Sequence, residues 1–223
     1  KVIFFTIIFL CFLHVFTDIF VKIYARLSGL ANTLPSHASI LRPPLKYASY
    51  VYDKNGVVIA KFAEEDRVFT ALSEISPFLI FSIIATEDAR FCFHKGFDIE
   101  GIIRAGITNY NSGSIVQGAS TLTQQLAKNL YLTNEKSLER KMRELLISLK
   151  LEKYHTKAQI LEYYLNTAYF GHGAWGCYSA AWKYFGKTPK ELNLRESIFL
   201  AGLVASPNSY SPWKADSKHK ERQ

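Results

Sequence analysis

The N-terminal segment is the most apolar part of the chain. Between Val2 and Val21 the polar residues are Thr6, His14, Thr17 and Asp18. A helix of about 20 mostly apolar residues is long enough to cross the hydrocarbon core of a bilayer. A cleaved signal peptide has a shorter apolar region that ends at a small-residue cleavage site, and no such site follows this run. We therefore predict an uncleaved transmembrane helix over residues 1–27.

Turn-forming residues and β-prone runs organise the next part of the chain. Residues 28–46 contain Gly29 and three prolines, which predicts a linker. Beyond it, two β-prone runs flank Asn55–Gly56, a pair typical of a tight hairpin turn. A small β-hairpin is therefore predicted around residues 50–59.

Helical periodicity dominates from about residue 72 onward. Five helices are predicted. The first begins at the Ser76–Pro77 cap and ends near Glu87–Asp88, the second runs from the cap Ser120 through Leu130, and the third spans Glu135–Lys153. The fourth begins at Thr156, and the fifth begins at Asn193 and ends before Pro207. Glycine and asparagine break the periodicity in residues 106–119, which predicts a mobile loop there. The pattern as a whole indicates a mainly α protein with one hairpin.

Composition narrows the class of protein and of partner. With 48% hydrophobic and 21% charged residues, the chain has enough apolar side chains for a packed core and is not intrinsically disordered. The formal net charge of +8 favours an anionic partner, which composition alone leaves open as nucleic acid, a membrane surface or a phosphorylated substrate.

The three cysteines, Cys11, Cys92 and Cys177, form no recognisable metal or disulfide pattern. Their odd number and the lack of a CxxC pair argue against a zinc site and against a disulfide framework. Cys92 and Cys177 can pair only if the fold brings them together, which the sequence leaves open. Small buried hydrophobic side chains are the simplest interpretation.

Two adjacent acids, Glu87 and Asp88, close the apolar helix that begins at Pro77. A carboxylate there is partly desolvated and lies at the negative end of the helix dipole. Both effects raise its pKa and make it a better base near neutral pH. The ordinary alternative is a solvated helix end, with Asp88 and Arg90 forming caps or ion pairs.

A polar cluster follows at residues 118–129 and a cationic one at residues 140–144. Ser120, Gln124 and Lys128 have the spacing of one helical face, which suits sugar hydroxyls and a phosphate. Arg140 and Lys141 suit a pyrophosphate. The alternatives are an exposed polar helix and a surface ion pair between Arg140 and Glu144.

A fourth cluster, residues 157–166, is followed by a segment rich in glycine and aromatic residues, 169–176. Ile160, Leu161, Tyr164 and Leu165 are predicted to be mostly core positions, and the glycines indicate tight turns. For this cluster packing is a better interpretation than chemistry.

In order, the four clusters resemble the motifs of the peptidoglycan glycosyltransferases, family 51 of the glycosyltransferases. The form EDxxFxxHxG is matched from Glu87 to Gly96, GxSTxTQQxxKN from Gly118 to Asn129, RKxxE from Arg140 to Glu144, and KxxILExYLN from Lys157 to Asn166. Each cluster alone has an ordinary explanation, but four long motifs in the same order do not arise by coincidence. The resemblance covers roughly residues 46–212.

The hairpin around Tyr52–Gly56 is more similar to the bifunctional class A penicillin-binding proteins than to the stand-alone enzymes. Those proteins add a transpeptidase domain with SxxK, SxN and KTG motifs. Only Ser211–Lys214 fits SxxK here, and we interpret it as fortuitous. The chain is thus expected to be either a stand-alone enzyme or the glycosyltransferase portion of a longer one.

The resemblance implies a fold and a reaction. The fold is a lysozyme-like two-lobed domain over residues 47–213, mainly α with a small β-hairpin, preceded by the transmembrane helix and followed by a basic tail, residues 214–223. In the reaction, the 4-hydroxyl of an acceptor lipid II attacks C1 of the growing glycan chain. Undecaprenyl pyrophosphate leaves, and the new β-1,4 linkage forms with inversion.

The resemblance also implies roles for individual residues. Glu87 is the expected general base, and Glu144 is expected to orient the cations or to hold a divalent ion, Mg or Mn, although no cofactor is required. The residues expected to bind substrate are Asp88, Phe91, His94, Ser120, Thr121, Gln124, Gln125, Lys128, Asn129, Arg140 and Lys141.

The expected partners are lipid II, the growing glycan chain, the membrane and division or elongation proteins, with no nucleic acid. The expected location is the bacterial inner membrane, crossed once, with the catalytic domain on the periplasmic side. Two rivals remain open. One is a lytic hydrolase that acts on finished glycan strands, and the other is a non-catalytic membrane scaffold.

Overall fold

The computed structural model describes residues 2–45, 49–62, 67–114, 118–133, 135, 137–205 and 207. In that part of the chain nine α-helices and one two-stranded antiparallel sheet form. The helices are α1 (Val2–Asn32), α2 (His37–Leu41), α3 (Pro77–Glu87), α4 (Ile99–Ser112), α5 (Leu122–Tyr131), α6 (Leu138–Tyr154), α7 (Lys157–Thr167), α8 (Gly176–Phe185) and α9 (Leu194–Ala205), and the strands are β1 (Ser49–Tyr52) and β2 (Val58–Phe62). The prediction of a mainly α protein with one hairpin is confirmed.

The apolar N-terminus forms the long helix α1, whose side chains from Phe12 to Lys22 are all exposed. Among the described residues, no helix combines the length and the apolar character needed to cross a membrane. The helical part of the N-terminal prediction is thus confirmed, and the crossing of a membrane is not.

Residues 28–46, predicted as a linker, contain the end of α1 and the whole of α2. Ile40 of α2 is completely buried, and its carbonyl oxygen accepts a hydrogen bond from His155 Nε2 at 2.7 Å. The hydroxyl of Tyr131 donates to the Ser39 carbonyl at 2.8 Å. Within this stretch, α2 is therefore docked on α5 and α6 through Ser39 and Ile40.

The hairpin forms where Asn55–Gly56 predicted it. Asp53 Oδ1 accepts hydrogen bonds from the backbone N–H groups of Asn55 and Val57, each at 2.8 Å. Gly56 adopts a φ of 82°, a left-handed conformation that glycine reaches without strain. β1 and β2 pair antiparallel on either side of this turn, with an irregularity between Val51 and Tyr52.

The core lies where α3 packs on α9 and where α5 packs on both α6 and α7. Burial of a Leu or Ile side chain contributes about 1.5–3 kcal/mol to folding. The fully buried aliphatic residues at these contacts include Leu79, Ile83, Leu122, Leu126, Ile147, Leu151, Ile160, Leu165 and Leu200. The residue after α3 meets the start of α5 through a hydrogen bond from the Leu122 N–H to Asp88 Oδ2 at 3.0 Å.

Helix starts agree with the sequence where a capping side chain marks them. Thr156 and Gln159 form a capping box at α7, and Asn193 and Glu196 exchange hydrogen bonds at 3.0 Å at α9. The predicted start of α6 at Glu135 is three residues too early, because the side chain of Ser137 caps the helix.

The predicted loop over residues 106–119 is wrong for its first half. α4 runs through Ser112 and ends at Gly113, which has a φ of 61°. One internal glycine such as Gly106 weakens a helix by only about 1 kcal/mol, so it does not end α4. Residues 113–114 and 118–119 are not helical, and residues 115–117 lie outside the described part of the chain.

Three further predictions can be placed against the described residues. Cys92 is exposed, Cys177 is buried and both are free, which excludes a disulfide between them. The predicted basic tail, residues 214–223, lies outside the described residues. The mainly helical fold agrees with a lysozyme-like domain, and its division into two lobes stays a prediction.

Candidate active site

A cavity of about 500 Å³ opens where α3 ends and α5 begins, with parts of α4 and the end of α9 on its other sides. Its polar lining includes Glu87, Asp88, Arg90, Arg104, Ser120 and Gln125. The cavity thus brings together residues from the first and second sequence clusters.

Glu87 is the last residue of α3, and its side chain is largely withdrawn from solvent. Burial raises its pKa, a hydrogen bond from Gln125 works in the opposite direction, and the charge of Asp88 raises the pKa further. Gln125 Nε2 donates to Glu87 Oε2 at 2.7 Å. The prediction of a raised pKa for this carboxyl is therefore confirmed, and burial is its first cause.

Asp88, the residue after Glu87, is contacted from two sides. His94 Nε2 lies 2.9 Å from Asp88 Oδ2, which also accepts the backbone N–H of Leu122 at 3.0 Å. Phe91 is buried beneath, with the ammonium group of Lys157 4.3 Å from its ring centroid. Phe91 and His94 are not among the residues that line the cavity, and their predicted contact with substrate stays a prediction.

The start of α5 corrects the predicted polar face. Thr121, not Ser120, is the N-cap, and Gln124 completes a capping box with it. Ser120 therefore precedes the helix and does not share a face with Gln124 and Lys128. The Gln124 side chain is buried and its Oε1 accepts the Thr121 N–H at 3.1 Å, so this residue stabilises the helix start, and its contact with substrate stays a prediction.

The hydroxyl of Thr121 is also engaged within the protein, because it donates to the Gly96 carbonyl at 2.8 Å. On the last turn of α5, Lys128 is half-buried and has no hydrogen-bond or ion-pair partner among the described residues. Asn129 beside it is exposed. These two remain available to a ligand, whereas the polar atoms of Thr121 are largely used.

The cationic cluster on α6 is built around Glu144, whose side chain is only 3% exposed. Arg140 Nη1 donates to Glu144 Oε2 at 2.7 Å, and the Lys141 ammonium donates to Glu144 Oε1. Lys141 also donates to Ser120 Oγ at 2.7 Å. Two cations thus share one carboxylate, and Ser120 links them to the cavity that holds Glu87.

Comparison with known proteins places this geometry in a family. The transglycosylase family model matches residues 55–223, more than half of the chain. The chain belongs to the transglycosylase family. All the site residues described above lie within the matched region, and the resemblance seen in the sequence is confirmed.

Curated relatives of this transglycosylase carry the name penicillin-binding protein 1A. The one from Rickettsia prowazekii is 42% identical over 196 residues, which cover 86% of this chain and 25% of the relative. The one from Aquifex aeolicus is 46% identical over 166 residues, 74% of this chain and 23% of the relative. The one from Escherichia coli is 40% identical over 191 residues, which cover 86% of this chain and 22% of the relative. The chain therefore spans about a quarter of the length of the curated relatives it matches.

Glu144 of the transglycosylase does not fit the expected divalent ion. Both of its oxygens accept hydrogen bonds from cations, which a metal ion would have to displace. Within the described residues no group of three or more His, Cys, Asp or Glu side chains is placed to hold a metal. The geometry supports the other expected role, that of orienting Arg140 and Lys141.

Three charged residues that line the transglycosylase site were not predicted as site residues: Arg90, Asp98 and Arg104. Arg90 pairs with Asp98 and Glu100, at 3.3 and 2.7 Å, and not with Asp88. The exposed guanidinium of Arg104 belongs to α4, in the helical turn before Gly106. Had residues 99–112 been predicted as a helix, Asp98 and Arg104 could have been expected to lie near the first cluster.

The fourth cluster has the structural role predicted for it. Asn166 Oδ1 accepts the Thr70 N–H at 2.8 Å, and Asn166 Nδ2 donates to the Thr70 carbonyl at 2.9 Å. Glu162 Oε2 accepts the Leu72 N–H at 2.7 Å. Tyr164, predicted as core, is buried, but its hydroxyl donates to Gln125 Oε1 at 3.0 Å and thereby reaches the active site.

Proposed function

We propose that this chain is a peptidoglycan glycosyltransferase that polymerises lipid II into β-1,4 glycan strands and releases undecaprenyl pyrophosphate. The observation that carries the proposal is a partly buried carboxyl of raised pKa in a cavity that a separate cationic cluster reaches through the hydrogen bond from Lys141 to Ser120. Membership of the transglycosylase family and the relatives' name, penicillin-binding protein 1A, support the same reaction class.

Glu87 is the proposed general base. Its carboxylate takes the proton of the acceptor's 4-hydroxyl while that oxygen forms a bond to C1 of the donor sugar. The bond between C1 and the pyrophosphate oxygen breaks on the opposite face, which inverts the configuration at C1. The raised pKa of Glu87 suits this work, because a base is most effective when its pKa approaches the ambient pH.

The leaving pyrophosphate requires positive charge more than it requires a proton. Arg140 and Lys141 are held by Glu144, so their cationic ends are oriented before the substrate arrives. Two cations against one carboxylate leave a net positive charge for the phosphates. Such preorganised charge stabilises a developing anion, and Lys128 supplies a further cation from the last turn of α5.

The lytic hydrolase is the weaker alternative. It needs a catalytic carboxyl such as Glu87, but it has no use for cations oriented toward a pyrophosphate. A non-catalytic scaffold has no use for a carboxyl whose pKa is raised. The product separates the three functions: polymerised glycan, soluble fragments released from finished strands, or no turnover.

The proposed site of action is the outer face of the bacterial inner membrane, where a lipid-linked donor is embedded and the catalytic domain meets it from the periplasmic side. The net charge of +8 favours an anionic membrane surface. Division or elongation proteins are the proposed protein partners, and nucleic acid is not.

The deciding experiment is polymerisation of labelled lipid II by the purified chain in detergent. We expect glycan strands, and we expect Glu87→Gln to lower the rate by roughly 10²–10⁴, as loss of a general base does. Glu135→Gln is the matched control, because Glu135 is exposed and has no described partner. A near-normal rate in Glu87→Gln contradicts the assignment, and fragments from purified sacculi without polymer formation favour the hydrolase.

A further inference from the structure

The hydroxyl of Tyr164 is a polar group placed deep in the core of the protein. The side chain is completely buried, and its packing as an aromatic ring does not require an oxygen. The hydroxyl donates to Gln125 Oε1 at 3.0 Å, its one described hydrogen bond. Since Gln125 in turn contacts Glu87, the hydroxyl lies two hydrogen bonds from the proposed base.

The directions of these two hydrogen bonds depend on each other. An ionised Glu87 only accepts, so the amide nitrogen of Gln125 must face it. The amide oxygen of Gln125 then points the other way, toward Tyr164, and needs a donor there. A phenol hydroxyl supplies that donor, whereas a phenylalanine would leave a buried carbonyl unsatisfied.

We propose that Tyr164 is a positioning residue of the active site, whose hydroxyl holds the Gln125 amide in the one orientation that stabilises ionised Glu87. This inference rests on the proposed function, in which Glu87 is the base. Tyr164 touches no substrate and acts only through Gln125.

The environment of Tyr164 keeps its proton in place. Burial raises its pKa well above the ordinary value, and the charges of Glu87 and Asp88 raise it further. The hydroxyl therefore stays a donor throughout the pH range in which Glu87 ionises. A solvent-exposed donor, free to rotate and to exchange with water, would not fix the amide in this way.

Without the Tyr164 hydroxyl, no described hydrogen bond to Oε1 holds the Gln125 amide in this orientation. A rotated Gln125 presents its oxygen to Glu87, which favours the protonated carboxyl and works against the base. The remaining charged groups near Glu87 are Asp88 beside it, and Arg90, Asp98 and Arg104 on the cavity wall. Lys141 reaches the cavity only through Ser120. A substitution at Tyr164 changes none of these groups.

Tyr164→Phe is the test, and Tyr163→Phe is its matched control. Both variants remove one hydroxyl from α7, but Tyr163 is only partly buried and has no described contact with Gln125. We expect Tyr164→Phe to lower kcat about tenfold, equivalent to one hydrogen bond, with KM unchanged. We also expect the acidic limb of the pH–kcat profile to move upward. Tyr163→Phe should change neither.

A merely structural role for Tyr164 predicts a lower melting temperature with the acidic limb unmoved, and that result overturns the proposal. The double variant gives a second criterion. In a Gln125→Ala background, where the amide is already gone, Tyr164→Phe should cause no further shift of the acidic limb. A further shift of the same size would show that Tyr164 acts without Gln125.

The titration of Glu87 can also be followed without turnover, from the carboxyl ¹³C resonance that disappears in Glu87→Gln. The pKa of Glu87 should be higher in Tyr164→Phe than in the unsubstituted chain. This readout separates the two proposals. If the chain does not polymerise lipid II but the pKa shift is seen, the positioning role of Tyr164 is supported and the proposed function is contradicted. If the chain polymerises lipid II but no shift is seen, the proposed function is supported and the positioning role is contradicted.

Discussion

Glu87 is partly buried at the end of α3 and Glu144 is buried on α6, yet the surroundings of the two glutamates are opposite. Glu87 has a neutral amide as its hydrogen-bond partner and an adjacent carboxylate, and burial raises its pKa. Glu144 has a cation on each oxygen. The surroundings of Glu87 favour its protonated form, so it can act as a base. Glu144 is held by Arg140 and Lys141 and orients both cations in turn. The partner, and not the residue type, decides the role.

The same contrast extends to the cations. Arg140 and Arg143 lie three residues apart on α6, and each pairs with a glutamate. Arg140 pairs with buried Glu144, whereas Arg143 pairs with Glu139, which is about half exposed. Only the first pair is joined, through Lys141 and Ser120, to the cavity.

Among the cations, the largest effect is therefore expected from Arg140→Ala. If this preorganised cation stabilises the leaving pyrophosphate as proposed, its loss should reduce kcat by about 10² in the lipid II polymerisation assay. Arg143→Ala removes the same side chain from the same helix and should retain most of the activity. Equal losses in the two variants would mean that α6 contributes general positive charge and not a defined site.

The two glutamates should also differ in stability. Glu144→Gln leaves Arg140 and Lys141 without their shared carboxylate and should lower the free energy of unfolding by about 2 kcal/mol. Glu87→Gln should be neutral or stabilising at neutral pH, since it removes a buried charge that has no cationic partner. Denaturant titration of both variants measures the difference.

The stability difference between Glu87→Gln and the unsubstituted chain should depend on pH. Because the pKa of Glu87 is raised, the folded protein binds the Glu87 proton more tightly than the unfolded chain does. The stability contributed by the protonated form is present at acidic pH and is lost as the pH rises through the raised pKa. Glu87→Gln cannot ionise, so its advantage over the unsubstituted chain should appear near neutral pH and disappear in acid. An advantage independent of pH would contradict burial as the cause of the raised pKa.

Local signals in the sequence predicted much of this fold. The Ser76–Pro77 start of α3, the capping box at Thr156 and the Asn55–Gly56 turn depend on neighbouring residues only, and all are confirmed. The start of α5 was misplaced although its signal was present. Thr121 has a glutamine three residues later, as a capping box requires, whereas Ser120 does not.

Other features depend on contacts between distant parts of the chain. Tyr164 and Gln125 are 39 residues apart, and no periodicity on α7 distinguishes a buried tyrosine that packs from one that also donates to a neighbour. The likeness of the four clusters to a family predicted which residues would gather. It did not predict that Gln124 would cap a helix while Gln125 would face Glu87.

The smallest effect is expected at Thr121, a predicted substrate-binding residue that is also the N-cap of α5. Thr121→Ala should lower the free energy of unfolding by about 1 kcal/mol, the usual contribution of a threonine N-cap. Thr121→Ser keeps the oxygen that accepts from Gln124 N–H and donates to Gly96, and should recover most of that loss. If the hydroxyl serves only the start of α5, the KM for lipid II stays the same in both variants. A raised KM in Thr121→Ala that serine restores would return Thr121 to the substrate-binding residues, and would show that a capping hydroxyl at this cavity also contacts the sugar.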